Sequence, residues 1–232
     1  MVKKILIAVP VVLILAGFIF YLSLGAPFDP EKSAFIEMEP PENIDRRIYN
    51  SLAGHYTTFL KKSVDTDGEY TLLEIELEPG GGNTPHYHQS FSEEFTSIEG
   101  TLGVHVNGEN YYLESGESIF ADKGDTHYFF NDTDEFITFQ VRIEPASPGF
   151  EKGLYILYGL INDGKTDEGL PNDILHTALF ATYSDTRATG ALSVMNPIFS
   201  RLAGRAQRQG VEAELVERYY LSHVVEENEE EL

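Results

Sequence analysis

Three histidines and one glutamate carry the chemistry that this sequence makes available. His86 and His88 stand two residues apart in GGNTPHYHQSFSEEF, residues 81 to 95, so on an extended chain both imidazoles project from one face. Two neutral nitrogens on one face can reach a single ion. Glu93 follows after a short gap, and a local bend there would return a hard oxygen ligand to the same cation. His127 comes much later, in GESIFADKGDTHYFFN, just after a glycine-containing turn. A sheet that lays this strand beside the first would make three imidazoles and one carboxylate converge. Such a borderline donor set suits Fe(II), Mn(II), Ni(II), Cu(II) or Zn(II), and disfavours Ca(II) and thiolate-seeking ions. Four protein ligands would leave about one or two open positions on a five- or six-coordinate ion for water, substrate or dioxygen.

The elements that must position these residues read as strands. From Arg46 to about Glu144, alternating or aromatic stretches such as YTLLEIELEPGGG, TLGVHVNGENYYLESGES and EFITFQVRIEP are broken by turn signals. Asn107-Gly108 supplies the positive φ angles of a tight hairpin inside LGVHVNGENYYL. Many short strands at this spacing predict an antiparallel barrel or double-sheet jelly roll of about 100 residues. Gly80, Gly81 and Gly82 lack a following Lys-Ser/Thr or helix start, so they read as a turn and not as an anion-binding loop.

The two stretches resemble the paired motifs of the cupin superfamily. The first motif runs glycine, five residues, His-x-His, three or four residues, Glu, six residues, glycine, and Gly80, His86, His88, Glu93 and Gly100 occupy its positions. The second is matched by Gly116, Gly124, His127 and Asn131, with Asp122 standing where the motif has proline. That departure alters a turn and leaves the ligands in place. The resemblance covers about residues 46 to 146 and implies an all-β cupin barrel, a double-stranded β-helix or jelly roll, holding a divalent transition metal on His86, His88, Glu93 and His127. Cupins include dioxygenases, isomerases, decarboxylases, storage proteins and sugar-sensing regulators, so the likeness does not choose a reaction.

Aromatic residues crowd both motifs, and Phe95, Tyr112, Phe120 and Phe129 are the candidates for a substrate pocket beside the ion. His105 alternates with two valines and should face outward, while His55, His176 and His223 stand isolated. Asn131-Asp132-Thr133 matches a glycosylation acceptor, but Asn131 also fills the second motif. No lysine or arginine lies within the first motif, so ligands can be named without a general base.

Beyond Gly149 the pattern becomes helical. DILHTALFATYSDT can be capped by Asp173, and PIFSRLAGRAQRQGVEAELVERYY opens at Pro197. These helices should pack on the outside of the barrel or in a partner's groove. Arg201, Arg205 and Arg208 form a basic stripe, expected to be solvated or paired with glutamates.

At the other end, Lys3 and Lys4 precede a 20-residue apolar run, residues 5 to 24. At about 1.5 Å per residue a helix of this length crosses a bilayer core of roughly 30 Å. Positive charge before it, and Asp29 and Glu31 after it, place the remainder on the extracytoplasmic side. A cleaved signal is the rival reading, with Ser23-Leu24-Gly25 as its site.

The expected organisation is an N-terminal transmembrane anchor (1–24), an extended linker (25–45), the barrel (46–146), a C-terminal helical extension (147–222) and an acidic disordered tail (223–232). A formal charge of -22 sets nucleic-acid binding aside, and the absence of cysteine excludes disulfides and thiolate chemistry. The expected partners are the membrane and a small-molecule ligand, with a homodimer left open. Two function classes follow: a membrane-anchored, metal-dependent oxygenase or isomerase, and a non-catalytic module that holds a small molecule or metal for a membrane partner.

Overall fold

A computed structural model describes residues 15, 17–33 and 44–222. Most of the apolar run 5–24 and the acidic tail 223–232 lie outside the described residues, as does His223. Among the described residues no helix is long and apolar enough to cross a membrane.

Two antiparallel sheets face one another. The first contains β1 (Arg47–Asn50), β2 (His55–Lys61), β3 (Thr71–Leu77), β5 (Ser92–Glu99), β8 (Ser118–Ala121) and β10 (Ile137–Glu144), in the order β1-β2-β3-β10-β5-β8. The second contains β4 (His86–Tyr87), β6 (Leu102–Val106), β7 (Glu109–Leu113), β9 (His127–Phe130) and β13 (Arg187–Ala188), in the order β13-β4-β9-β6-β7. A small ribbon of β11 (Thr166–Asp167) and β12 (Leu170–Pro171) stands apart.

Period-two alternation decides what faces the core. In β3 and β10 every second side chain is buried, so Leu73, Ile75, Leu77, Ile137, Phe139, Val141 and Ile143 line the interior. In β5 the same alternation buries Glu93, Phe95 and Ser97, so a carboxylate is carried inward among apolar neighbours. The Asn107-Gly108 turn joins β6 to β7 with φ of 50° and 96°, as the sequence predicts for a two-residue hairpin. Gly80 to Gly82 form a turn tied to the far end of β9 by Gly80 N–H to Asn131 O and Asn131 N–H to Gly81 O. Asn131 is buried, its amide donating to Leu77 O and Glu135 O, so it is a structural residue and not an exposed glycan acceptor.

The extension comprises α1 (Pro148–Asn162), α2 (Ile174–Tyr183), α3 (Asn196–Arg208) and α4 (Val211–Val216), followed by a π-helical turn over Glu217–Leu221. Asp173 caps α2 through Leu175 N–H, as expected. Gly210, at φ 77°, splits the long helix predicted from Pro197 into α3 and α4. Helix α1 escapes the sequence reading because it is buried nearly all round, Glu151 and Lys152 included, and so shows no polar face. Glu151 joins this helix to the barrel by accepting from Ser63 N–H, Ser63 Oγ and Thr71 Oγ1.

Residues 24–29, where the apolar run passes into the expected extended linker, are docked on α3. Phe28 N–H reaches Ser200 O, Gln207 bonds both the N–H and the carbonyl of Asp29, and Arg208 donates to Leu24 O and Ala26 O. Arg201 donates to Gly25 O. Two arginines of the basic stripe, the half-buried Arg201 and the exposed Arg208, thus donate to main-chain carbonyls in place of the glutamates expected of them, and Arg205 is exposed.

Candidate metal centre

The fold brings His86, His88, Glu93 and His127 together, with one donor atom from each lying within 4.8 Å of the others. Register explains the meeting: β4 pairs with β9 so that His86 faces His127 directly, while the inward turn of β5 delivers Glu93 from the opposite sheet. His88, Glu93 and His127 are buried and His86 is half-buried.

Each imidazole is fixed through its outer nitrogen. Nδ1 of His86 lies 2.8 Å from Thr84 O, Nδ1 of His127 lies 2.9 Å from Asp125 O, and Nδ1 of His88 lies 3.3 Å from Asp185 O. A carbonyl only accepts, so all three Nδ1 atoms carry a proton, and in the neutral ring that leaves Nε2 its lone pair. Nε2 of His88 and of His127 are buried without a hydrogen-bond partner. His127 Nε2 stands 2.8 Å from Glu93 Oε2 and His88 Nε2 stands 3.9 Å from Glu93 Oε1. Buried lone pairs aimed at a common point beside a carboxylate are the signature of ligands, and the donor set matches a divalent transition metal.

The electrostatics are uneven. Burial, helped by the neighbouring His88 and His127, pushes His86 down to about 3, and burial lowers His88 as well. Burial alone would raise Glu93, but contact with His127 and the charges of the three imidazoles outweigh it and hold the carboxyl at about 2. His127 is the exception: burial lowers it, yet Glu93 more than compensates and the ring is raised.

Phenylalanines form the wall. Phe91 stacks on His88 with centroids 4.3 Å apart, Phe150 meets His88 edge-on at 5.9 Å, and Phe95 lies 5.8 Å from His127. Of the four residues expected to line a pocket, Phe95 and Phe129 are buried within the barrel and 6.4 Å apart. Tyr112 and Phe120 are corrections, being 52% and 58% exposed. Phe120 pairs with Glu94, and both share the outward face of the sheet because Glu93 takes the inward one. Tyr112 projects outward opposite Gly103, packs edge-on against Phe130 and donates to Asp132.

His105 stacks on Tyr128 and bonds Asn110 on the outer surface, in keeping with its expected outward position. His55, which stands isolated in the sequence, is buried, with Nε2 2.6 Å from Tyr158 Oη, and burial lowers it to about 4.

The sequence reading misses the contribution of the extension. Phe150 of α1 covers His88, and β13 pairs with β4, setting Ala188 opposite His86 and Arg187 opposite Tyr87. Asp185 sits 97 residues from His88, and no spacing signal announces a contact at that distance. The carbonyls of Thr84 and Asp125, by contrast, precede their histidines by two residues and are local consequences of the turns.

Residues 73–140 match the cupin domain model. The chain is 38% identical over 82 residues to the tetracenomycin polyketide synthase protein TcmJ of Streptomyces glaucescens, which is 35% of this chain and 55% of that protein. It is 34% identical over 65 residues to the mannose-1-phosphate guanylyltransferase ManC of Salmonella typhimurium, 28% of this chain and 14% of that one. The chain therefore spans about half the length of the first curated relative and a small part of the second. Among solved structures, an oxalate decarboxylase assigned by prediction in Thermotoga maritima superposes with a TM-score of 0.40 at 21% identity, over 47% of this chain and 99% of that one. The strands that carry the four converging residues lie within the stretch that matches the cupin domain model.

Proposed function

We propose that this chain is a membrane-anchored, metal-dependent cupin enzyme acting as an oxygenase or isomerase on a small organic molecule at the extracytoplasmic face. The observation that carries the reading is the convergence of three Nε2 lone pairs and one carboxylate, each imidazole fixed by its own main-chain acceptor. When bound, a divalent transition metal held by His86, His88, Glu93 and His127 would supply Lewis acidity or a site for dioxygen. The chain's own residues do the rest. Thr84, Asp185 and Asp125 keep the imidazoles in the ligating tautomer, and Glu93 contributes the negative charge. Phe91, Phe95 and Phe150 pack on the ligating rings and exclude water from them. The apolar run 5–24 supports the anchor and the charges on either side of it support the orientation.

A second reading, a module that binds a small molecule without transforming it, is favoured by the phenylalanine wall: among the described residues the rings packed on the ligating histidines, beyond one another, are those of Phe91, Phe95 and Phe150. Turnover separates the two. Full-length protein in detergent, loaded in turn with Fe(II), Mn(II), Ni(II), Cu(II) and Zn(II), is assayed for oxygen uptake and product over phenols, organic acids, polyketides and sugar phosphates. The last two classes are suggested by the names of the curated relatives. Turnover with at least one metal, abolished in His127→Ala, is expected of the enzyme. Tight binding with no turnover throughout the panel supports the module.

A further inference from the structure

Asp185 lies outside the barrel, in the turn between α2 and β13, yet it makes five polar contacts around the loop that carries the ligands. Its carbonyl accepts from His88 Nδ1 at 3.3 Å. Its Oδ2 accepts from Gln89 N–H at 2.7 Å, Ser90 N–H at 2.7 Å and Ser90 Oγ at 2.8 Å, and Oδ1 takes Arg187 Nε at 3.0 Å. The residue adopts φ 49°, a left-handed conformation that aspartate tolerates better than most side chains and that turns carbonyl and carboxylate toward the same loop. Immediately after it, β13 continues the sheet edge beside His86. The other two ligating histidines have acceptors two residues away in the barrel; His88 alone borrows its acceptor from the extension.

We propose that Asp185 is a positioning residue of the metal centre, through which the C-terminal extension sets the tautomer and placement of His88. This rests on the metal reading above. The acceptor itself is a main-chain carbonyl that no substitution deletes. The side chain decides where that carbonyl sits, because the carboxylate clamps Gln89 and Ser90 and so locks the loop that follows His88 against the turn that holds the acceptor. Without the clamp the loop is free to move away from the turn, and the Nδ1 contact that keeps the Nε2 lone pair inward is lost. Partners of this kind change metal affinity by about 10–100-fold when removed. Coupling is reciprocal: a metal that holds His88 also holds the loop against Asp185.

The test uses full-length protein in detergent and Co(II) as the probe, with Asp185→Ala, Asp185→Asn and His88→Ala. Co(II) affinity is measured by competition with a chromophoric chelator, the ligand-field absorption of the bound ion is recorded, and melting of each metal-free protein reports the fold. Asp185→Ala is expected to weaken Co(II) by about 10–100-fold and to displace the ligand-field bands. Asp185→Asn, which keeps one acceptor oxygen but loses charge toward Arg187, should give a smaller loss with the bands moved in the same sense. Wild-type affinity and an unchanged spectrum in Asp185→Ala would overturn the proposal, as would a weakened affinity with an unchanged spectrum, which marks a purely structural role. If Asp185→Ala does not fold, the same two outcomes are read from Asp185→Asn. His88→Ala separates the two levels: its retention of Co(II) would overturn the metal reading itself, whereas its loss beside a wild-type Asp185→Ala overturns only the role of Asp185.

Discussion

Because burial holds His86 near 3 and lowers His88 too, while Glu93 raises His127, acid reaches the ligand set through one ring. The sign follows from competition for a lone pair. Protonated His127 cannot ligate, so affinity falls as pH drops through its raised value and levels off above it. The expected dependence is therefore that of about one proton per metal bound and not three. Metal competition titrations would show, below the raised value of His127, a slope of no more than about one in log affinity per pH unit, and a slope near three would contradict the division of charge among the rings. At this scale the sequence is generous. His86, His88, Glu93 and His127 are legible because motif spacing is covalent, and alternation predicts that Glu94 turns outward when Glu93 turns in. The same rule, applied to its neighbour across the strands, would have sent Phe120 outward with Glu94; what is missing from the sequence is the register that pairs them. His55 is unreadable for the same reason, since its partner Tyr158 belongs to a helix 103 residues later.

Helix α1 is the element that joins extension to barrel, and Glu151 is its polar anchor. Three donors converge on this buried carboxylate: Ser63 N–H at 2.6 Å, Ser63 Oγ at 3.2 Å and Thr71 Oγ1 at 2.6 Å. Removing it leaves buried donors without an acceptor, so Glu151→Ala should cost about 2–3 kcal/mol in urea unfolding. A cost below about 1 kcal/mol would mean that water or a rotated side chain replaces the carboxylate. Strands and the Asn107-Gly108 hairpin are legible from local chemistry, as is the cap of α2. Helix α1 and the two-residue strand β13 are not: the first has no polar face, and the second is too short to have a period and exists only because β4 offers it an edge. The extension therefore does more than pack outside the barrel, since it supplies Phe150 and Asp185 to the centre.

For the whole molecule, the docking of residues 24–29 on α3 matters because it fixes where the apolar run leaves the folded part. Gly204 admits this close approach: a Cβ there would lie 2.5 Å from Ala26 O and 2.6 Å from Pro27 O. With an anchor in the bilayer, the domain would be held by its extension and not hang on a loose linker. Protease added to intact cells is expected to degrade the barrel, and its protection would contradict the extracytoplasmic orientation. Charge and composition carry no information on substrate, which depends on the shape of an apolar interior assembled from both sheets. The central claim is that four side chains hold a metal, and elemental analysis of full-length protein purified in detergent, beside His88→Ala, tests it most directly. About one transition metal ion per chain in the wild type and its loss in the variant are the result expected, and equal metal content in the two proteins would contradict the claim.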